Sequence, residues 1–261
     1  MKTPPFPRRY LTDAPAPSTP FSARAWLFDL DGVLTPTALV HMHAWARLFA
    51  PYLAAHDAAP YTEADYFAYI DGKPRYDGVR SLLASRGITL PEGSPDDSPD
   101  ADTVCGLGNR KNVAFNETLA AEGVQAYPSS VAFLDEIQSA GHLAAVVSSS
   151  RNAPMVLAAA GLADRFEIVV DGTYAIAEGL AGKPAPDTYE RAAELLGVPT
   201  LSCAVVEDAE SGVRAGAAGA FGLVVGIDRG VGREALLRHG ADIVVNELDE
   251  LIPSIIGKDM A

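Results

Sequence analysis

The second half of the chain alternates short apolar runs with stretches of helical spacing. The runs are rich in aliphatic residues and occur at 143–147, 168–170, 204–206, 223–225 and 243–245. Strands that alternate with helices build a parallel sheet covered by helices. This pattern therefore predicts an α/β core around a parallel sheet.

The first half of the chain has a different pattern. One apolar run, at 26–28, precedes a long stretch that is almost free of strand signals. An acidic, proline-rich loop lies at 91–102. Helical spacing around it predicts helices at 41–52, 63–70, 76–86 and 110–122.

Together the two halves predict a doubly wound α/β core with an inserted helical module. We assign 21–35 and 127–261 to the core and 36–126 to an α-helical cap domain. A module inserted after the first strand would lie over the edge of the sheet where such folds bind ligands, and would act as a lid.

Composition narrows the classes of partner. The chain has 261 residues and a net charge of −14, from 34 acidic and 20 basic side chains. This charge argues against nucleic acid or an anionic membrane surface as the main partner. Cys105 and Cys203 lie far apart, without metal-ligand spacing, so a reducing cytoplasm is expected. The first 20 residues carry six prolines and no apolar centre, which predicts a flexible extension rather than a signal peptide.

Two carboxylates stand where the first strand ends. Asp29 and Asp31 follow the run at 26–28, directly before Gly32. Side chains two positions apart in a strand point the same way, so both would emerge at the ligand-binding edge. Carboxylates this close repel unless a cation or a shared proton relieves them. We therefore expect a divalent metal beside one and proton transfer by the other.

Three later segments also carry polar residues suited to phosphate chemistry. After the run at 143–147 the chain continues with Ser148, Ser149, Ser150, Arg151 and Asn152. A hydroxyl followed by a helix start offers hydrogen-bond donors to an anion, although a serine there is also an ordinary helix cap.

The other two groups are a lysine and an acidic pair. Lys183 precedes Pro184, which keeps the lysine out of a helix. Glu207 and Asp208 end the run at 204–206 and supply the oxygen ligands that Mg²⁺ prefers.

In this order, the motifs resemble those of the haloacid dehalogenase superfamily of phosphohydrolases and phosphomutases, over about residues 25–251. The resemblance implies that Asp29 is the nucleophile that forms an aspartyl phosphate and that Asp31 is the general acid/base. It also implies that Ser148 and Lys183 hold the phosphoryl oxygens. Mg²⁺ would be held by Asp29, the Asp31 backbone carbonyl, Glu207 and Asp208.

A closer resemblance is to the β-phosphoglucomutase-like subfamily, through Thr37, His41 and Trp45. It implies that His41 couples the acid/base to cap closure. In the cap, the segment 71–78 resembles a loop that grips a distal phosphate, and Lys111 resembles a second substrate contact. The residues implied to bind substrate are His41, Gly72, Arg75, Lys111, Ser149, Ser150, Arg151 and Asn152.

Several alternatives stay open at this point. Two basic cap positions favour a mutase, which must hold a phosphate at each end of a sugar bisphosphate. A phosphatase acting on a sugar phosphate would use the same core. A non-catalytic phosphometabolite-binding protein is disfavoured because both aspartates are present. The expected partner is a small phosphorylated sugar, and the expected assembly is a monomer or weak homodimer.

Overall fold

The computed structural model of the chain describes residues 23–255. The extension predicted at 1–20 lies outside these residues. A sheet of six parallel strands has the order β3-β2-β1-β4-β5-β6. The strands are β1 Ala25–Phe28, β2 Leu143–Val147, β3 Ile168–Val170, β4 Cys203–Glu207, β5 Leu223–Ile227 and β6 Ile243–Val245.

The order of the strands reverses beside β1, which places the ends of β1, β2 and β4 together. Phe28 lies opposite Val146 on one side and Val206 on the other. The residues that follow these strands therefore share one edge of the sheet. Such a reversal point is where open α/β sheets bind their ligands.

The long segment between β1 and β2 contains the cap helices. They are α1 Thr37–Ala55, α2 Glu63–Asp65, a π-helical turn Tyr66–Ile70, α3 Arg75–Ser85 and α4 Val104–Glu122. The cap has a hydrophobic cluster of its own, which includes Phe49, Leu82 and Leu107. Two residues of α4, Phe115 and Leu119, pack instead into the cluster of the core and join the cap to it.

Helices cover both faces of the sheet. They are α5 Pro128–Ser139, α6 Ala153–Ala159, α7 Gly172–Ala177, α8 Asp187–Leu195, α9 Glu210–Ala218, α10 Arg233–His239 and α11 Ile252–Ile255. Trp26 and Phe28 belong to the hydrophobic cluster on one face, whereas Leu27 belongs to the cluster on the other, with Tyr189. This alternation is that of a strand buried on both sides. The predicted fold class, a doubly wound core with a helical cap, is confirmed.

The cap helix predicted at 110–122 begins earlier, at Val104. Gly106 and Gly108 disfavour a helix, but the Thr103 side chain accepts a hydrogen bond from the Gly106 amide at 2.9 Å and caps it. Gly108 lies so close to Tyr76 that a Cβ would approach its ring to 2.6 Å. Packing against α3 thus outweighs the local preference.

None of the helices between residues 23 and 255 combines the length and the apolar character needed to cross a bilayer.

Candidate active site

A cavity of about 150 Å³ lies between the cap and the carboxyl edge of the sheet. Two of the predicted site residues, Ser148 and Lys183, are buried beside it and do not line it. The others all line it: Asp29, Asp31, His41, Gly72, Arg75, Lys111, Ser149, Ser150, Arg151, Asn152, Glu207 and Asp208.

Lys183 is the buried cation of the core. Its Nζ donates to Asp29 Oδ1 at 2.5 Å, to Glu207 Oε1 at 2.6 Å and to the Val147 carbonyl at 3.0 Å. Burial disfavours the charged amine, but the charges of Asp29 and Glu207 outweigh burial and raise the pKa of Lys183. The lysine thus stays charged and fixes both carboxylates.

The carboxylates of Asp29, Glu207 and Asp208 form a buried group. One oxygen from each lies within 4.8 Å of the others. Burial raises the pKa of Asp208 well above its usual range, and the charges of Asp71 and Glu207 raise it further. Burial also raises the pKa of Asp29, against the opposing charge of Lys183. Lys183 alone does not compensate so many acids, and a hard divalent cation would.

Two glycines leave room for these carboxylates. A Cβ on Gly32 would lie 1.8 Å from Asp208 Oδ2, and a Cβ on Gly212 would lie 1.7 Å from Glu207 Oε1. Gly32 also has a φ of +84°, which favours glycine. The residues therefore fit the Mg²⁺ that the family resemblance implies.

Asp31 lies beside this group and faces the cap. It accepts a hydrogen bond from Thr37 Oγ1, and His41 Nε2 lies 3.4 Å from its Oδ1. Burial would raise the pKa of Asp31, but His41 and the Thr37 hydrogen bond lower it below its usual range. The carboxylate is thus ionised and ready to accept a proton.

Lys111 and His41 extend this chain of contacts into the cap. The two side chains are hydrogen-bonded, and the His41 ring stacks on Phe115 at 4.2 Å. Lys111 Nζ lies 5.2 Å from the Trp45 ring centroid, inside the cap. Burial, with the charge of Arg75, lowers the pKa of Lys111 to about 7. A lysine poised in this way gains its charge most readily when an anion binds.

A second group of basic side chains joins the cap to the core. Asn112 Oδ1 accepts from Arg75 Nη2 at 2.8 Å and from Asn152 Nδ2 at 2.7 Å. The Tyr76 ring lies 6.0 Å from the Arg75 guanidinium and 5.2 Å from that of Arg151. Two guanidinium groups at one place form a site suited to an anion.

The cap is closed onto the core. Ser149 Oγ donates to the Gly72 carbonyl at 3.0 Å, and Ser211 Oγ donates to the Asp71 carbonyl at 3.3 Å. Gly72 has a φ of +68°, and a Cβ there would lie 2.0 Å from Ser211 Oγ. Gly72 therefore contributes its small size and carbonyl to the closed contact.

The serines after β2 differ in their contacts. Ser148 Oγ accepts from the Ser150 amide at 3.1 Å, and Ser150 Oγ accepts from the Asn152 amide at 3.1 Å. These are hydrogen bonds within the turn, and the N-cap of α6 is Asn152, whose side chain makes no capping bond, so the serine helix cap considered from the sequence is not formed. Each serine hydroxyl proton is free for another acceptor.

Three residues of the site were given no role of their own in the sequence analysis. Asp71 lines the cavity, and burial with the charges of Glu207 and Asp31 raises its pKa to about 7. Tyr189 is fully buried and donates to Glu207 Oε1 at 2.9 Å. Asn112 is the bridge described above. A weak signal existed for Asp71, in its position before a loop glycine, but Tyr189 resembles any core aromatic.

Comparisons with known proteins agree with this geometry. The family model for haloacid dehalogenase-like hydrolases matches residues 23–219. The chain is 52% identical to the β-phosphoglucomutase of Mycobacterium bovis, over 89% of this chain and 93% of that protein. It is 28% identical to hexitol phosphatase A of Escherichia coli, over 87% of this chain and 93% of the relative.

A solved structure shares the fold. The β-phosphoglucomutase of Clostridium difficile superposes with a TM-score of 0.71, at 23% identity, over 88% of this chain and 93% of that one. The family predicted from the motifs, with its β-phosphoglucomutase-like branch, is confirmed. The chain belongs to the haloacid dehalogenase-like hydrolase family.

Proposed function

We propose that this enzyme is a β-phosphoglucomutase, which converts β-glucose 1-phosphate to glucose 6-phosphate through a bisphosphate. The observation that carries the proposal is one cavity lined by two groups that can each hold a phosphate. The carboxylates of Asp29, Glu207 and Asp208, which fit Mg²⁺, lie at the sheet edge, and Arg75 and Arg151 meet at the junction of cap and core. A mutase needs both groups, because its bisphosphate intermediate carries a phosphate at each end.

In the proposed reaction, an Asp29 oxygen attacks phosphorus and the bond from phosphorus to the sugar oxygen breaks. Asp31, ionised in the free enzyme, first takes the proton of the sugar hydroxyl that attacks phosphorylated Asp29, and it gives that proton to the leaving oxygen when Asp29 then attacks the bisphosphate. Lys183 and Ser148 hold phosphoryl oxygens. Mg²⁺, held by Asp29, the Asp31 carbonyl, Glu207 and Asp208, would offset the negative charge of the transferring group.

Residues of the cap and of the loop after β2 have a separate role in this proposal. Arg75, Arg151 and Asn152 hold the distal phosphate, with Ser149 and Ser150 nearby. The hydrogen bond between Lys111 and His41 couples the charge of a bound substrate to Asp31, because His41 Nε2 lies 3.4 Å from Asp31 Oδ1. The closed contact at Gly72 excludes water, which would otherwise hydrolyse the phosphorylated Asp29.

A phosphatase is the second candidate, supported by the similarity to hexitol phosphatase A. It differs in one step, since water instead of a sugar hydroxyl accepts the phosphoryl group. We further propose that the partner is a small sugar phosphate, that the enzyme works in the cytoplasm without nucleic acid or membrane, and that it is a monomer or weak homodimer.

One assay separates the two candidates. Protein with Mg²⁺, β-glucose 1-phosphate and a trace of hexose bisphosphate is followed for glucose 6-phosphate and inorganic phosphate together, with Asp29→Asn as the control. Glucose 6-phosphate with little free phosphate supports the mutase. Free phosphate without the isomer identifies a phosphatase and overturns the mutase proposal.

A further inference from the structure

Arg229 is a basic residue close to the catalytic loop that the proposed mechanism does not use. It lies just beyond the end of β5, and its Nε donates to the Gly32 carbonyl at 3.0 Å. Its Nη1 and Nη2 donate to the two Glu247 carboxylate oxygens at 2.8 and 3.0 Å. Such a two-point pairing holds a guanidinium in one orientation.

The same guanidinium also contacts the segment by which the chain returns from the cap. It lies 4.1 Å from the centroid of the Tyr127 ring, within range of a cation–π contact. The Tyr127 amide in turn donates to the Leu34 carbonyl at 2.9 Å. Arg229 therefore connects the catalytic loop, the return segment of the cap and the loop after β6.

Gly32 is the point where this network reaches the chemistry. It follows Asp31 directly, and its Cα faces the Asp208 carboxylate so closely that a Cβ would lie 1.8 Å from Oδ2. Its amide donates to the Thr35 carbonyl at 2.7 Å, which closes the loop on itself. A shift of this peptide would displace Asp31 on one side and crowd Asp208 on the other.

We propose that Arg229 is a positioning residue for the metal site, which holds the Gly32 peptide in register with Asp31 and Asp208. The role is indirect, because Arg229 neither lines the cavity nor belongs to the buried carboxylate group. Residues that orient metal ligands from outside typically change metal affinity or activity 10- to 100-fold when removed. The inference rests on the proposed Mg²⁺ chemistry, but not on the identity of the sugar.

If Arg229 acted only through its charge, its removal would change Mg²⁺ affinity in the opposite direction. Burial lowers the pKa of Arg229, but the hydrogen bond to Glu247 and nearby acidic charges, Asp208 among them, raise it. Removing a cation from this neighbourhood should tighten Mg²⁺ binding by simple Coulomb attraction. Removing a positioning residue should weaken it.

The test is the Mg²⁺ dissociation constant of Arg229→Met, Arg229→Lys and wild type, measured by calorimetry without substrate. We expect Arg229→Met to weaken Mg²⁺ binding about 10-fold. Arg229→Lys should recover part of the loss, because a lysine can reach the Gly32 carbonyl but cannot pair with both Glu247 oxygens. In turnover assays kcat should fall more than KM rises, since substrate contacts are untouched.

Arg165→Met is the matched control. Arg165 donates to Gln138 Oε1 and to Asp135 Oδ1, the latter at 2.7 Å, and contacts none of the predicted site residues. The Arg165→Met variant should lower the melting temperature about as much as Arg229→Met does and leave Mg²⁺ affinity unchanged. If Arg229→Met does not fold, the Mg²⁺ dissociation constants of Arg229→Lys and Glu247→Gln are compared with that of wild type instead, and both variants should bind Mg²⁺ more weakly.

Two results would overturn the proposal. One is unchanged or tighter Mg²⁺ binding in the Arg229 variants, which assigns Arg229 a structural or purely electrostatic role. The other is the absence of Mg²⁺ binding by the wild-type protein. Failure of the mutase proposal is distinguishable, because it appears in the products formed by wild type and not in metal affinity.

Discussion

The two halves of the candidate site are built differently. The core half places Asp29, Glu207 and Asp208 at the ends of buried strands, and Lys183 pairs with two of them. The cap half places Arg75, Lys111 and Asn112 on helices, joined to the core by polar contacts and by the packing of Phe115 and Leu119. The proposed function assigns the chemistry to the core half, and substrate selection and exclusion of water to the cap half. Replacements should therefore act on different measured quantities in the two halves.

The largest effect is expected for Asp29→Asn in the core. Loss of the nucleophile should lower kcat by about 10⁴-fold or more, because an amide oxygen cannot form the phosphorylated intermediate. The matched control is Asp171→Asn, which replaces a buried aspartate that caps α7 by accepting from the Tyr174 amide at 2.7 Å. Asparagine caps equally well, so the control should keep its activity. Turnover of Asp29→Asn near the wild-type rate would contradict the core assignment.

Lys183→Met should reduce both activity and stability. It leaves Asp29 and Glu207 buried without their cation, and breaking a buried pair costs about 3–5 kcal/mol. Thermal unfolding with and without Mg²⁺ measures this cost, and the metal should restore part of it. Lys73→Met is the control for stability, since Lys73 Nζ donates to Tyr69 O and Ser81 Oγ within the cap. Equal losses of stability in the two variants would contradict a particular role for Lys183 in stabilising the buried carboxylates.

Arg75→Lys tests the cap half. The change keeps the charge but loses the fork that suits phosphate, so KM should rise about 10-fold or more with a smaller effect on kcat. Arg80→Lys, on the same helix, alters exposed pairs with Asp77 and Glu92 that contribute little. A fall in kcat with unchanged KM would place Arg75 in the chemistry instead.

Gly72→Ala tests closure of the cap. An added methyl group would displace Ser211 Oγ, 2.0 Å away, from its hydrogen bond to the Asp71 carbonyl, and the φ of +68° adds backbone strain. A cap that closes poorly should admit water, so the ratio of inorganic phosphate to glucose 6-phosphate should rise several-fold at constant Mg²⁺ affinity. Gly87→Ala is the control, because Gly87 has a similar φ but no neighbour within 4 Å of an added Cβ. Both variants share the backbone strain, and only Gly72→Ala should change the product ratio.

The smallest effect concerns pH. The pKa of Lys111 is lowered to about 7, so in the free enzyme its charge is present below pH 7 and lost above it. If the charged form binds the anionic substrate, kcat/KM should fall as pH rises above 7. Arginine stays charged, so the ratio of kcat/KM for Lys111→Arg to wild type should rise over the same range. The ratio cancels titration of the substrate, and a flat ratio from pH 6 to 9 would exclude Lys111 as the responsible group.

Much of the core half was predictable because its signals are local. The predicted strands at 143–147, 168–170 and 243–245 match the structure, and those at 26–28, 204–206 and 223–225 differ only by extensions at their ends. A parallel sheet then brings the residues after its strands to one edge without further information.

The cap half was less predictable because its contacts join residues distant in sequence. Helical spacing located the cap helices but missed the start of α4, where Thr103 and the contact with Tyr76 offset two glycines. Asn112 between Arg75 and Asn152 depends on how two helices and a core loop meet. No local pattern encodes such a meeting.

The positions of Asp29, Asp31, Glu207 and Asp208 at the sheet edge were therefore predictable from sequence alone, since each lies at or just after the end of an apolar run whose direction is known. Lys183 lies in the loop between α7 and α8 and was assigned through its motif. The closeness of Asp71 to the core carboxylates, the hydrogen bond from Tyr189 to Glu207 and the attachment of Arg229 to Gly32 became visible only in the folded chain. The reason is physical: strand periodicity sets where a side chain emerges, but tertiary packing sets which groups from other elements share its buried, poorly screened surroundings.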